Sequence, residues 1–227
     1  MKATFNLILI SFLVQLSCVY GQDNARQIGF YRFINAVGPG EGNTSVKING
    51  SNIYDRGYRM GQRTGAMVLP TGSHEIKVEK EGVKSGSTQF QIETGETMSL
   101  VAFAERVESD DPEDPPEWTT RILRLKQNDV EEGFRISFIS VCDVPVVYLQ
   151  AMIGSGGETE SVSVDRLGMN TLNLGNRKIE VAVTNGNDVI TMVNPDARGN
   201  YVVIIYQDGD GQVKAMSFYE PRFVIAG

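Results

Sequence analysis

The sequence predicts an all-β protein, and three observations support this. Helical periodicity is nearly absent, whereas segments rich in Val, Ile, Thr, Tyr and Phe recur every 8–15 residues between Gly, Asn-Gly, Pro and Asp. Several segments alternate apolar and polar side chains, as half-buried strands do. Three of them also recur in order about 100 residues later. We therefore expect two tandem antiparallel β-sandwich domains of the Ig-like or transthyretin-like type.

The internal repeat is visible as pairs of similar segments. They are "FINAV" (33–37) with "FISVC" (138–142), "HEIKVEKEG" (74–82) with "KIEVAVTNG" (178–186), and "MSLVAFAE" (98–105) with "YVVIIYQD" (201–208). The first pair is offset by 105 residues and the third by 103, and in the second pair Val78 matches Val181, also at an offset of 103. Matches in one order at nearly one spacing indicate a duplication. The predicted domains are residues 22–130 and 131–227.

Each predicted domain is read as the same series of strands. The opening strands are 28–37 and 134–142, the second 44–50 and 144–152, the central 98–105 and 201–206, and the closing 118–126 and 213–219. Between the second and central strands, turns at 70–73 and 175–176 predict a β-hairpin in each domain. Alternation predicts that Phe134, Ile136 and Phe138 are buried while Arg135 and Ser137 face water. Each domain is expected to be stabilised by its own core.

The first residues predict export. Lys2 precedes the apolar run "FNLILISFLVQL" (5–16), and small residues follow, with cleavage expected before Gln22. Residues 1–21 are therefore predicted to be a cleaved signal peptide, since the run is too short to span a bilayer. The alternative is lipoprotein anchoring at Cys18, although Gln15 stands where that motif has an aliphatic residue. We expect a secreted or periplasmic protein without a membrane span.

Charge and cysteine content narrow the class further. Without Lys2 the chain carries 20 basic and 28 acidic residues, a net charge of −8. It has no basic tract, which argues against nucleic acid and anionic membranes as partners. Loss of Cys18 leaves only Cys142, so no internal disulfide is expected and hydrophobic burial must stabilise the fold. We expect Cys142 to be a buried small side chain.

Four segments of the first domain carry a family resemblance: "FINAV", "VKING", "LPTGSHEIKV" and "GETMSLVAFA". In this order they resemble the secreted β-sandwich repeats of bacteria that form a family of unknown function. The two-domain layout is also similar to the F-component accessory proteins of periplasmic alginate O-acetylation. The resemblance implies a bacterial envelope protein without its own catalytic motif, in an accessory role in exopolysaccharide O-acetylation. The second domain matches less closely, since it lacks the "VNG" and the hairpin proline.

Two acidic segments are candidate binding sites. The loop "ESDDPEDPPEW" (108–118) is interpreted either as a solvated excursion or as a docking site for a cationic partner or divalent ion, with an aromatic anchor. Its candidate binding residues are Asp110, Asp111, Glu113, Asp114 and Trp118. The loop "QDGDGQ" (207–212) resembles a calcium loop through Asp208 and Asp210, but the further ligands of an EF-hand are missing. A glycine-rich hairpin turn is the simpler interpretation.

No residue set indicates catalysis. His74 is the only histidine, and the sequence contains no G-x-S-x-G nucleophile elbow. His74 therefore has no recognisable serine or cysteine nucleophile to activate as the general base of a catalytic triad. "IGSGGETES" (153–161) is expected to be a flexible loop, and Asn43 and Asn49 lie in sequons that matter only in a eukaryotic host. No cofactor and no metal are expected.

The sequence therefore predicts a non-catalytic binding or scaffolding protein of the periplasm or cell envelope. Its expected partner is a protein or an extended glycan. The alternative is a glycan-active enzyme, or a calcium-dependent glycan-binding module, that uses the acidic loop carboxylates.

Overall fold

The computed structural model describes residues 27–108, 116–128, 132–222 and 224–226, and these form an all-β protein. Apart from one 3₁₀ turn (Gly154–Gly156), the regular elements are strands. They are β1 Ile28–Ala36, β2 Glu41–Ile48, β3 Ser51–Asn52, β4 Met67–Pro70, β5 Gly72–Glu81, β6 Val83–Ile92, β7 Thr97–Val107, β8 Glu117–Gln127, β9 Phe134–Ser140, β10 Val146–Ile153, β11 Glu158–Asp165, β12 Met169–Gly175, β13 Val181–Asn185, β14 Asp188–Val193, β15 Gly199–Gln207, β16 Val213–Glu220 and β17 Val224–Ala226. In the described ranges no helix has the length and apolarity needed to cross a membrane.

The strands form three sheets. The N-terminal half, β1 to β8, makes a sheet of order β3-β2-β5-β6-β8-β7-β1-β4, to which β17 adds at β8. In this sheet β6 and β8 are joined only where Lys84 pairs with Thr119. The C-terminal half, β9 to β16, makes two four-stranded sheets of order β11-β10-β13-β14 and β12-β9-β15-β16.

Three hydrophobic clusters show how these strands are layered. One cluster lies between β2-β5-β6 and β1-β7, and another between β10-β11-β13 and β9-β12-β15. The third contains residues of both halves, with β1, β7 and β8 on one side and β9, β15 and β16 on the other. We call this third cluster the junction core. The nine-stranded sheet lies on both sides of the first cluster and so provides two layers, and the two four-stranded sheets provide two more. The molecule is thus a stack of four β-layers, in which the two inner layers pack against each other across the junction core.

The two halves use equivalent strand pairings. In the N-terminal half β1 lies between β4, which is antiparallel to it, and β7, which is parallel to it. In the C-terminal half β9 lies in the same way between β12 and β15. The prediction of purely antiparallel sheets is therefore wrong. A parallel pair needs a long connection, and about 60 residues separate the paired strands in each half.

The register follows the repeat found in the sequence. Phe33 pairs with Leu100 across β1 and β7, and Phe138 pairs with Val203 across β9 and β15. These are the residues that the offsets of 105 and 103 match with each other. The correspondence in sequence is thus also a correspondence in position within the layers.

The predicted hairpins at 70–73 and 175–176 are wrong. Although β4 and β5 are separated only by Thr71, β4 pairs with β1 whereas β5 pairs with β2 and β6. Strands β12 and β13 likewise belong to different sheets, because β12 pairs with β9 whereas β13 pairs with β10. The chain crosses between layers at these turns because each flanking strand gains a partner elsewhere. The hairpins lie one strand later, at Gly82 and at Gly186-Asn187, where both glycines have positive φ.

The prediction of a wet face on β9 is wrong as well. Phe134, Ile136 and Phe138 are buried as expected, but Ser137 is also fully buried and its hydroxyl donates to Asn200 Oδ1 at 2.9 Å. That face of β9 belongs to the junction between the halves. For the same reason β7 and β15, which are apolar on both faces, contact one core on each side.

Segment 153–161, predicted to be a flexible loop, contains the 3₁₀ turn and the first half of β11. Strand β11 is paired along its full length with β10, from Val146–Asp165 to Ile153–Glu158. Its exposed residues, Glu158 to Ser161, carry no apolar alternation because they lie at the edge of the sheet. Composition alone therefore gave no indication of a strand there.

Polar contacts close one end of the junction core. Glu220 on β16 is almost fully buried and forms an ion pair with Arg32 of β1 at 2.5 Å. The same carboxylate accepts a hydrogen bond from the side-chain amide of Gln127 on β8. Just beyond it, β17 returns to the N-terminal half, where Val224 pairs with Gln127 and packs into the junction core. Both halves are therefore tied together by charge, by backbone pairing and by apolar contact.

Candidate functional site

A pocket of about 250 Å³ opens between the two halves, and we call it the junction pocket. The N-terminal half contributes the ends of β1, β7 and β8, and the C-terminal half contributes the ends of β9 and β15 with the turn that follows β15. Its lining side chains and backbone segments are Ala36, Gly38, Pro39, Ala104, Arg106, Trp118, Val141, Asp143, Gln207, Asp208, Gly209 and Gly211. Two residues singled out in the sequence for separate reasons, Trp118 and Asp208, therefore meet in one pocket.

Trp118 gives the pocket an aromatic wall. It is half-buried near the start of β8, where one part of the ring packs against the N-terminal core. Trp118 is the cross-strand partner of Arg106 on β7, so the indole and the guanidinium project from neighbouring positions. An aromatic face beside a planar cation can stack on a flat ring while donating hydrogen bonds to its substituents.

Asp208 forms the turn at the opposite wall. Its Oδ1 accepts hydrogen bonds from the backbone N–H groups of Asp210 and Gln212, at 3.1 and 2.9 Å, and its Oδ2 lies 3.7 Å from Lys214 Nζ. These contacts explain the "DGDGQ" segment as the capped hairpin turn between β15 and β16. Asp210 is exposed and does not line the pocket. In the described ranges no group of three or more His, Cys, Asp and Glu residues is arranged to hold a metal ion.

Sequence reasoning missed Asp143 and Gln207. The Gln207 side chain accepts a hydrogen bond from the Asp143 backbone N–H at 2.8 Å, across 64 residues of sequence. The Asp143 carboxylate lies 3.2 Å from Arg166, which also pairs with Glu105 of the N-terminal half at 2.5 Å. No local motif marks these residues, because the pocket exists only once the halves are stacked.

The floor of the pocket requires a glycine. A Cβ on Gly38 would lie 2.0 Å from the backbone oxygen of Gln207, closer than any real contact. Lys80 holds this segment from the other side, since its Nζ donates to the carbonyl oxygens of Val37 and Gly38 at 2.9 and 3.1 Å. The two halves thus meet backbone to backbone at this point, which fixes the width of the pocket.

The remaining predicted site residues do not enter this geometry. Asp110, Asp111, Glu113 and Asp114 lie outside the described residues. His74 is buried, and both ring nitrogens are within hydrogen-bonding distance of a partner, Nδ1 at 2.9 Å from Asn49 Nδ2 and Nε2 at 2.8 Å from the Pro70 carbonyl. These contacts give His74 a structural role, since its ring links the turn after β2 to the end of β4.

The thiol and the sequons also have structural explanations. Cys142 is buried as predicted, and burial raises the pKa of its thiol to about 11. The side chain of Asn49 bonds to His74 and to the backbone N–H of Glu75, and Asn49 with Gly50 forms the positive-φ turn after β2. Asn43 donates to the carbonyl of Arg56. Both sequon amides are thus already bonded within the fold.

A larger cavity of about 500 Å³ lies along β6 and β8. Small hydroxyl side chains and glycine make up half of its lining, and its charged residues Glu105 and Arg121 are paired with each other at 2.7 Å. Its described lining includes no predicted site residue and no Trp or Tyr. The junction pocket is therefore the better candidate, although it is smaller.

No model of a known protein family matches the chain, and a search of curated proteins finds no match. The function must therefore be inferred from the residues that line the junction pocket.

Proposed function

We propose that the protein is a non-catalytic, exported binding protein whose junction pocket holds one sugar ring of an extended glycan. The observation that carries this proposal is the meeting of Trp118 with Arg106, Asp143, Gln207 and Asp208 in one pocket. An aromatic face contacts the C–H surface of a sugar, and planar polar side chains bond its hydroxyls. A volume of about 250 Å³ lies below the range for drug-sized ligands, which suits a single ring.

The proposal includes the organisation of the chain. We propose two tandem β-sandwich domains with a boundary near residue 130 and a cleaved signal peptide before Gln22. The equivalent pairings around β1 and β9 and the matching offsets support the duplication. The duplication would then serve to create a pocket between two like units, rather than to present two like surfaces.

The rival function is a glycan-active enzyme, and one observation favours it: two carboxylates, Asp143 and Asp208, line the same pocket. Glycoside hydrolysis needs one carboxyl group as the acid and another as the base or nucleophile, both free to react. Here Asp143 is paired with Arg166, and Asp208 caps a turn and lies near Lys214. These contacts support binding over catalysis.

A narrower proposal, based on the family resemblance, is an accessory role in exopolysaccharide O-acetylation. Two carboxylates in the pocket disfavour a polyanionic chain, since like charges repel at close range. In that role the protein would contact a neutral sugar or an acetyltransferase rather than a uronate polymer. Binding of oligomannuronate that is lost with Trp118→Ala would contradict this division of roles.

We expect Trp118→Ala to weaken glycan binding at least tenfold, which corresponds to about 1.4 kcal/mol. The lost stacking surface contributes about this amount. The measurement is isothermal titration with a panel of neutral and acidic oligosaccharides, with Trp118→Phe expected to retain most of the affinity. Tyr54→Ala, an exposed aromatic truncation outside the pocket, is the matched control and should bind normally.

Two results would contradict the proposal. One is binding that Trp118→Ala leaves unchanged, and the other is the absence of binding across the panel. Release of new reducing ends during the titration, abolished by Asp143→Asn or Asp208→Asn, would establish the enzymatic rival instead. Circular dichroism of each variant checks that the fold is intact.

A further inference from the structure

The two outer layers of the stack differ in the side chains they present. In the N-terminal half the outer face of β2, β5 and β6 carries Lys47, Glu75, Lys77 and Glu79, and Glu79 is paired with both lysines at 2.7 and 2.6 Å. Hydrogen bonds from Lys47 and Lys77 lower the pKa of Glu79 to about 2. This face has the charge pattern of a permanently solvated surface.

The outer face of β10, β11, β13 and β14 is different. Its outward residues are Val146, Tyr148, Gln150, Met152, Thr159, Ser161, Ser163, Asp165, Ala182, Val189 and Met192. The only charged side chain among them is Asp165, at one end of β11. Tyr148 is 73% exposed, Val189 56%, Met152 43% and Met192 38%. We call this surface the Tyr–Met face.

The register places these apolar residues side by side. Met152, Ala182 and Met192 form one row across β10, β13 and β14. In the next row Gln150 and Val189 lie on either side of Thr184, which is buried. Tyr and Met are enriched in protein interfaces, and Lys, Glu and Asp are depleted there. A flat apolar row across three strands is also what packs inside this molecule, where sheets cover one another at the junction core.

We propose that the Tyr–Met face binds a second copy of this chain, so that two stacks of four layers pack face to face about a two-fold axis. A two-fold contact joins identical surfaces, which in an acidic chain of net charge −7 is tolerated best where charge is absent. The Tyr–Met face meets this condition along most of its length, and the outer face of the N-terminal half does not. This inference is independent of the function of the junction pocket.

The available area sets the strength of the contact. Strands β10 and β11 have eight residues each, β13 has five and β14 has six. At about 3.3 Å per residue and about 4.8 Å between strands they give a footprint of roughly 430 Å² for each copy. Two copies together cover about 860 Å², which is the size of a weak, transient interface. The dimer should therefore form only in the upper micromolar range, and added salt should strengthen it by screening the repulsion between acidic copies.

The test is sedimentation of the purified protein from about 1 µM to about 1 mM. We expect a concentration-dependent dimer that Tyr148→Lys weakens at least tenfold, since a central tyrosine is a typical hot spot. Gln89→Lys, which adds the same charge to the outer face of β6, is the matched control and should leave the dimer unchanged. Both positions are exposed, so neither change should affect the fold.

A second variant makes the test geometric. Gln150→Cys lies at the centre of the Tyr–Met face and should form a disulfide-linked dimer on mild oxidation, whereas Gln89→Cys should not. A protein that stays monomeric over the whole range would overturn the proposal and leave the face to a different protein. A dimer that is equally stable with Tyr148→Lys would overturn it too.

Discussion

Ile204→Ala is expected to destabilise both halves of the protein together, by about 2–5 kcal/mol. Ile204 lies on β15 in the C-terminal half and is fully buried in the junction core, the cluster that also contains Ile34 and Phe103 of the N-terminal half. Truncating its side chain leaves a cavity between the two inner layers. The lost free energy of unfolding therefore comes from the packing that joins the two halves.

Trp118 makes this coupling measurable. It is the only tryptophan of the chain, and it packs against the N-terminal core while lining the junction pocket, so its fluorescence reports the unfolding of that half together with the opening of the pocket. In urea, the Trp118 transition should move to lower denaturant by the same amount as the far-UV circular dichroism. A Trp118 transition that stays in place while the circular dichroism shifts would contradict the shared core. Val68→Ala, at an exposed position of β4, is the control and should change neither signal.

Arg32→Met is expected to cost about 3–5 kcal/mol, because it leaves the buried Glu220 carboxylate without its counter-ion. Among the described residues, the hydrogen bond from Gln127 and one from the backbone of Arg222 would then remain on this carboxylate. Replacing both members, with Arg32→Met and Glu220→Met, should recover most of the loss, since apolar side chains then pack where the ion pair stood. Stability close to wild type in the single variant would contradict this.

The pH dependence of the Arg32→Met cost is a sharper test of the same pair. Burial raises the pKa of Glu220 above its ordinary 4.5, even though Arg32 lowers it. A carboxyl group with a raised pKa in the folded state favours folding below 4.5 and loses this contribution as pH rises through the folded value. Without Arg32 that pKa rises further, so the variant should lose less stability near pH 4 than near pH 7. A cost that is equal at both pH values would contradict the assignment.

The free energy of unfolding of the variant must be compared with that of the wild type at each pH, because other carboxyl groups also titrate in this range. Glu79 behaves in the opposite way, because its lowered pKa of about 2 gives stability that is lost as pH falls below 4.5. This contribution is common to both proteins and cancels in the difference.

Most strands were predictable because they depend on local alternation and on β-branched and aromatic composition, but β6, β11 and β14 were not predicted. β7 and β15 were identified as central strands from their two apolar faces, and β8 and β16 were found within a residue or two. The partners of β4 and β12 were not predictable. A short turn such as "PTGS" suits a hairpin and a crossing between layers equally well, and only distant strands decide between them.

The junction core was missed for a related reason. Its faces carry polar residues at the rim, such as Ser137, Arg32 and Glu220, which resemble a wet surface in the sequence. The junction pocket follows the same logic. Trp118 and Asp208 were noticed for their own chemistry, but their proximity depends on contacts such as that between Gly38 and Gln207, far apart in the chain.

Scanning calorimetry of the unaltered protein tests the shared junction core most directly. With a common core, heat should unfold both halves in one transition whose calorimetric enthalpy equals its van't Hoff enthalpy. Two separate peaks, or a calorimetric enthalpy about twice the van't Hoff value, would mean that the halves unfold independently and that the inner layers do not form one core.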